Sequence, residues 1–305
     1  MKVVNQIRSF YRATIPKTIR DINTNQYFKL RRFYYRRKII SFLISKGIRN
    51  LNDDEKKVLS YLKENTLSVF PGNYQNKYWE IDVKVLYDEK LDLKYIFNGT
   101  KKLFFRRGMS DKKIMKMFRG LSIEQDPESP HRYLSHEFHV KKNDVVYDVG
   151  AAEGSFGLSQ IENLSKLIIF ETDPLWIEAL KATFSPWKDK VEIIEKYVSN
   201  SDTEERITLD YFTDNNPKPN FIKIDVDGEE MNLLKGSKNF LMRSKNLLKI
   251  VICTYHCQDD ESNISKFLSQ MHFNCKPSDG YMLFYFDTHF KPPYLRRGLL
   301  RAEKL

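Results

Sequence analysis

From Asp144 onward the chain alternates short apolar runs with amphipathic stretches. The pattern predicts strands over 145–149, 167–171, 192–197, 221–226, 248–254 and 281–287. Helices fit between them near 155–163, 174–184, 229–242 and 261–271. The runs are too short for helices and are bounded by turn residues, which favours buried strands. Strand–helix alternation of this kind predicts a largely parallel sheet with right-handed crossovers.

Upstream the pattern differs. Residues 80–87 alternate like a strand, and residues 94–105 read as a hairpin reversing at Asn98-Gly99. Asn52-Asp53-Asp54-Glu55 has the form of a helix start, and a helix is expected over Asp111 to Arg119. The polar cluster from Glu124 to Tyr133 carries Pro127 and Pro130 and reads as a loop, either a linker or a functional segment. In residues 1–50, Leu30, Phe33, Tyr34, Ile40, Leu43 and Ile44 recur at roughly helical spacing, with basic residues between them. The expected organisation is a basic helical arm (1–50), a small α+β segment (51–140) and an α/β domain (141–305).

Charge sharpens that division. The 305 residues carry a net charge of +11. Residues 1–50 hold 13 Lys/Arg against the single acid Asp21, which leaves 38 basic and 39 acidic residues for the remainder. The body is therefore neutral and the arm is basic. Such a helix can lie on its own domain with a solvated basic face, rest on anionic lipid, or follow a phosphate backbone. No run approaches the roughly 20 apolar residues of a membrane span, and three cysteines fit a reducing cytoplasm.

Three strand ends carry the candidate chemistry. Val145–Val149 runs into Gly150-Ala151-Ala152-Glu153-Gly154, a small-residue turn before a helix. Gly150 allows close approach of a ligand and Gly154 close helix–strand packing. Asp148 and Glu153 suit a cationic ligand better than a phosphate. Leu167–Phe170 ends in Glu171, whose carboxylate can accept ribose hydroxyl protons. Phe221–Ile224 delivers Asp225, Asp227, Glu229 and Glu230 to the same edge. Carboxylates there can orient a hydroxyl, act as a general base or hold a divalent cation, and the two glutamates can also complement a helix N-terminus. His256 follows the fifth strand and is a second candidate base.

In order along the chain, Asp148-Val149-Gly150-Ala151 through Gly154, Phe170-Glu171-Thr172-Asp173-Pro174, Thr208–Phe212 and Ile222-Lys223-Ile224-Asp225-Val226-Asp227-Gly228-Glu229-Glu230 with Leu233-Leu234-Lys235-Gly236 resemble the FkbM family of methyltransferases. The family's fourth-strand motif usually reads Lys-Ile-Asp-Val-Glu-Gly-Ala-Glu, so Asp227 and Glu229 depart from it. The resemblance covers about residues 143–290. It implies a Rossmann-like class I methyltransferase sheet with helices on both faces, and S-adenosylmethionine as cofactor. Asp148, Gly150, Ala151, Glu153 and Gly154 would surround its methionine and ribose portions, with Glu171 and Thr172 at the ribose. Tyr197 and Val198 would border adenine, and Asp225, Asp227 and His256 would face the transferred methyl.

The expected activity is O-methylation of a small-molecule or glycan hydroxyl by a cytoplasmic protein. RNA methylation guided by the arm, or a non-catalytic adaptor at the inner membrane face, are the alternatives. Two further motifs carry less. A zinc cluster of Cys253, His256 and Cys257 fails because Cys253 should point into the core and a fourth partner is missing. Lys291-Pro292-Pro293-Tyr294 resembles an amino-methyltransferase motif but stands near the C-terminus, where it predicts a loop or lid. No metal site is assigned.

Overall fold

The computed structural model describes residues 17–244 and 247–304. The helical expectation for the arm is met over Lys17–Ser45; residues 1–16 lie outside the described residues. A second helix, Asp53–Glu64, starts as a reciprocal capping box. The Asn52 side chain accepts from Glu55 N at 2.9 Å, and the Glu55 carboxylate accepts from Asn52 N at 3.0 Å.

After a short turn of helix at Asn76–Trp79 comes a small antiparallel sheet of β1 (Leu86–Asp88), β2 (Leu93–Asn98) and β3 (Lys101–Phe104). The hairpin reverses where Asn-Gly predicts it. The strand expected over 80–87 is shorter than its pattern, because only Leu86–Asp88 lies opposite a partner in β2. The helix expected to end at Arg119 continues as Asp111–Glu124, drawing Glu124 out of the polar loop.

The main sheet has seven strands. In chain order these are β4 (Val145–Val149), β5 (Lys166–Phe170), β6 (Val191–Ile194), β9 (Phe221–Ile224), β10 (Leu248–Cys253), β11 (Asn274–Pro277) and β12 (Leu299–Lys304). A separate pair, β7 (Tyr197–Val198) and β8 (Arg206–Ile207), ends the run expected over 192–197. The spatial order is β11-β12-β10-β9-β4-β5-β6. Strands β10, β9, β4, β5 and β6 are parallel neighbours, and β12 is antiparallel to both β10 and β11.

Two corrections concern the C-terminal half. The strand expected over 281–287 does not form; Met282 makes an isolated bridge with Arg296. Its apolar side chains are used elsewhere: Leu283 and Tyr285 clasp the N-terminal helix, while Phe284 turns toward Tyr255. The sheet is completed instead by β11 and β12. The helix expected over 229–242 divides into Glu230–Lys235 and Lys238–Arg243. The Asp210 carboxylate accepts from Asn239 N and Phe240 N, satisfying the first amides of a new helix.

Alternation along the central strands separates two cores. Val146, Leu167, Ile169, Phe221, Val251 and Cys253 face one side of the sheet. Tyr147, Ile168, Phe170, Ile222, Ile224, Ile250 and Ile252 face the other. The first side is covered partly by residues from upstream, including Ile96, Phe105, Ile114, Tyr133 and Phe138. A third cluster joins Ile39, Leu43, Val58 and Leu62 to Leu283, Tyr285, Phe290 and Tyr294.

Candidate active site

The chain leaves β4 in one direction to form β5 and β6, then returns to place β9 on the other side of β4. Diverging connections open a crevice at the carboxyl ends of these strands, where open α/β sheets bind ligands. Gly150 turns here with φ +73, and a Cβ on it would lie 1.9 Å from the Asp225 carbonyl oxygen. Gly154, with φ +79, has no room for a Cβ beneath Leu180 and Phe184. These two positions need glycine for both conformation and space.

Beneath the turn lies a buried ion pair. Asp148 and Lys223 are register partners on neighbouring strands. Lys223 Nζ stands 3.1 Å from Asp148 Oδ1 and donates to the Gly150 carbonyl at 2.5 Å. Burial pulls the ammonium pKa down, but Asp148 and then Asp225 outweigh it and raise it on balance. The lysine thus stays charged and ties the turn to the strand behind it.

A cavity of about 710 Å³ opens above, lined among others by Gly150, Glu171, Tyr197, Val198, Asp225 and Tyr255. Glu171 closes one wall. Its Oε2 accepts from Ala152 N at 2.9 Å, and its Oε1 accepts from Thr172 N and Asp173 N. Asp173 caps the next helix and pairs with Arg106 at 2.7 Å. Thr172 also lines the cavity. Asp148, Ala151, Glu153 and Gly154, expected around the cofactor, are not among the residues that line the cavity, and Asp148, Ala151 and Glu153 are buried.

Beside the cavity an acid–base network surrounds Asp225. The Tyr133 hydroxyl donates to Asp225 Oδ2 at 2.9 Å. His256 Nε2 lies 3.8 Å from Asp225 Oδ1 and 3.5 Å from Asp227 Oδ1. Its Nδ1 is 2.9 Å from Glu230 Oε1, which also accepts from Val226 N. Buried Arg296 donates to the Tyr255 and His256 carbonyls, fixing their backbone. All three candidate catalytic residues, Asp225, Asp227 and His256, therefore meet.

The electrostatics distinguish their partners. Burial lowers the His256 pKa, but the Glu230 hydrogen bond and nearby Asp225 and Asp227 outweigh it, and the net shift is upward. Burial raises that of Asp225, while Lys223, the two histidines and the Tyr133 hydroxyl bring it below the ordinary value. His131 is pushed down to about 4 by burial, so it is neutral at pH 7. Its 3.9 Å approach to Asp225 is accordingly a polar contact and not an ion pair. Burial, with Asp225 and Glu153 nearby, lifts Glu124 to about 8, which keeps it protonated at pH 7.

Sequence reasoning placed Glu230 among the carboxylates at this edge without giving it His256 as partner, and it assigned no site role to Tyr133, His131, Glu124 or Lys223. The signal for Tyr133, His131 and Glu124 was the polar cluster after residue 123, and for Lys223 the fourth-strand motif itself. Cys253 is buried, as expected, with Sγ 3.5 Å from His131 Nε2, and Cys257 is exposed. Lys291–Tyr294 is a loop whose Tyr294 is buried against Tyr35 and Phe42 of the N-terminal helix. It is therefore an anchor for that helix.

Residues 103–275, more than half of the chain, match the methyltransferase FkbM domain. The chain belongs to the FkbM methyltransferase family. Among solved structures it is similar to the methyltransferase FkbM from Methylobacillus flagellatus KT, with 15% identity over 64% of this chain and 56% of that one, at a TM-score of 0.45. It thus spans a little over half of that chain's length. Similarity also extends to precorrin-6y C5,15-methyltransferase from Geobacter metallireducens GS-15, at 12% identity, 54% and 82% coverage and a TM-score of 0.36. For SMU.1697c from Streptococcus mutans, in complex with SAH, the values are 15%, 54% and 91%, and 0.38. No curated protein matches the chain.

FkbM membership supports S-adenosylmethionine as cofactor, and this family member's cavity suits it. Gly150 leaves no space for a side chain where the turn meets Asp225. Glu171 offers a carboxylate held by three backbone amides, and Asp225 and Asp227 bring negative charge to the same cavity. Arg106, Lys196 and Arg206 also line the cavity, so its charge is mixed, with the carboxylates of Asp225, Asp227 and Glu229 gathered at the β9 end.

Proposed function

We propose that this chain is an S-adenosylmethionine-dependent O-methyltransferase acting on a hydroxyl of a carbohydrate or glycan intermediate. The observation that carries the reading is the Glu230–His256 pair beside the cavity, with Nδ1 engaged at 2.9 Å and Nε2 turned toward Asp225 and Asp227. Neutral His256 with its proton on Nδ1 leaves the Nε2 lone pair available. An alcohol must lose its proton as it attacks, and an imidazole fixed in one tautomer is suited to take it.

Gly150, Glu171, Thr172, Tyr197 and Val198 line the cavity and would hold the cofactor, which when bound would supply an electrophilic methyl on a sulfonium. Asp225 and Asp227 accept hydrogen bonds from acceptor hydroxyls and orient one of them toward His256. His256 Nε2 takes that hydroxyl's proton, and Glu230 Oε1 stabilises the resulting imidazolium. Glu230 acts through His256 and is a positioning residue. The carbohydrate assignment draws support from the chemistry at the mouth. The carboxylates of Asp227 and Glu229 line the cavity and can accept from several hydroxyls, while the Tyr255 ring, backed by Phe284, offers an apolar face.

Methyl transfer from S-adenosylmethionine to a panel of reducing-end and lipid-linked sugars tests the reading. His256→Ala should lower turnover by about 10²–10⁴-fold while leaving S-adenosylhomocysteine affinity unchanged. Wild-type turnover in that variant, with sugar as acceptor, would contradict the base assignment.

A further inference from the structure

The Lys17–Ser45 helix has two apolar faces, and its own body covers one of them. Phe28, Tyr35, Ile39, Phe42 and Leu43 pack toward Leu283, Tyr285, Phe290 and Tyr294. Arg31 fastens the same side by donating to the carbonyls of Tyr285 and Asp287 at 2.6 Å each, and Arg36 donates to the carbonyls of Leu62 and Asn65. About half a turn around the helix, positions 30, 33, 34, 37, 41 and 44 form a second stripe at helical spacing. Within it Leu30 is 71% exposed, Phe33 57%, Tyr34 54% and Ile44 50%. A contiguous row of exposed aromatic and aliphatic side chains on a folded protein marks an interaction surface.

The charges around that stripe choose the partner. Between Asp21 and Asp53 the chain contains no acidic residue. Arg37 lies over the Phe33 ring at 5.2 Å and Lys38 over the Tyr34 ring at 5.6 Å. Lys29, Arg37 and Lys38 make no salt bridge among the described residues. The exposed face thus interleaves apolar rings with free cations. No described helix is long and apolar enough to cross a membrane, so contact with a bilayer would place this helix in the plane of the interface. A nucleic acid would use the cations and leave Leu30 and Ile44 unsatisfied.

We propose that the outer face of this helix docks the protein on an anionic lipid bilayer. Leu30, Phe33, Tyr34 and Ile44 enter the headgroup–acyl boundary, and Lys29, Arg37 and Lys38 pair with lipid phosphates. The helix is clasped by the 281–295 segment, whose Phe284 ring lies 5.0 Å from Tyr255 and 6.0 Å from His256. A bilayer contact is therefore mechanically continuous with the acid–base network.

The test is sedimentation of the full chain with phosphatidylcholine vesicles containing about one third phosphatidylglycerol, against pure phosphatidylcholine and a single-stranded RNA. Binding to the anionic vesicles alone is expected. Three basic positions, each contributing about fivefold, predict a loss of at least about a hundredfold for the Lys29→Glu, Arg37→Glu, Lys38→Glu variant. The Leu30→Ser, Phe33→Ser, Ile44→Ser variant should also lose binding, although it keeps every cation. Because all six side chains face solvent, both variants should keep the wild-type melting temperature, which shows that the fold survives. Vesicle binding equal to wild type in the serine variant, or binding to RNA without binding to vesicles, overturns the proposal.

Discussion

Lys223 and Asp148 sit side by side with 4% and 0% of their side chains exposed. Taking both charges out of water is costly, and the pair is tolerated because each compensates the other. Removing one partner leaves the other uncompensated, so Lys223→Met should destabilise the fold by about 3–5 kcal/mol in urea unfolding. A change below about 1 kcal/mol would mean that Asp148 finds another partner or a proton. His256 is governed by a second residue-scale balance. Its pKa is raised above the ordinary 6.5, chiefly by Glu230 against the opposing effect of burial. As the proposed base His256 would have to be neutral, so turnover should rise with pH through an inflection above 6.5. Glu230→Gln removes the main raising contact and should move that inflection downward while lowering the maximal rate. An unmoved inflection would assign the titration to another group. The stability contribution of the Glu230–His256 contact has the opposite sign with pH. It is present below the unfolded value and is lost as pH rises through the raised native one.

At the scale of elements, the chain shows which of its patterns were determined locally. Asn52 through Glu55 specified a capping box, and Asn98-Gly99 specified a hairpin, because both signals act within a few residues. The 281–287 run has strand composition but does not form one, since the N-terminal helix competes for Leu283 and Tyr285. That competition joins residues some 240 positions apart and leaves no local mark. Leu43 is fully buried on the inner face of the helix. Leu43→Ala should cost about 2–5 kcal/mol and loosen the helix from the 281–295 segment, read as faster amide exchange in both. Exchange that rises in the helix alone would show that the segment holds its shape without it.

For the whole molecule, the decisive feature is how strand order brings four short sequence signals to one crevice. Gly150, Glu171, Asp225 and His256 were legible in the sequence because each follows a buried apolar run that ends at the same sheet edge. Tyr133, His131 and Glu124 were not, because they arrive from upstream over the face of the sheet. Nothing in a single polar loop shows that it will close on Asp225. FkbM membership fixes the architecture, and the identity of the acceptor rests on the mouth of the cavity. The account stands first on that cavity binding the methyl donor. Calorimetric titration with S-adenosylmethionine and S-adenosylhomocysteine measures this directly, comparing wild type with Glu171→Ala. Micromolar affinity is expected in the wild type and at least a tenfold loss in the variant, which also loses the acceptor of three backbone amides and should melt somewhat lower while staying folded at the titration temperature. Absence of binding to the folded wild type, or equal affinity in both proteins, would contradict it.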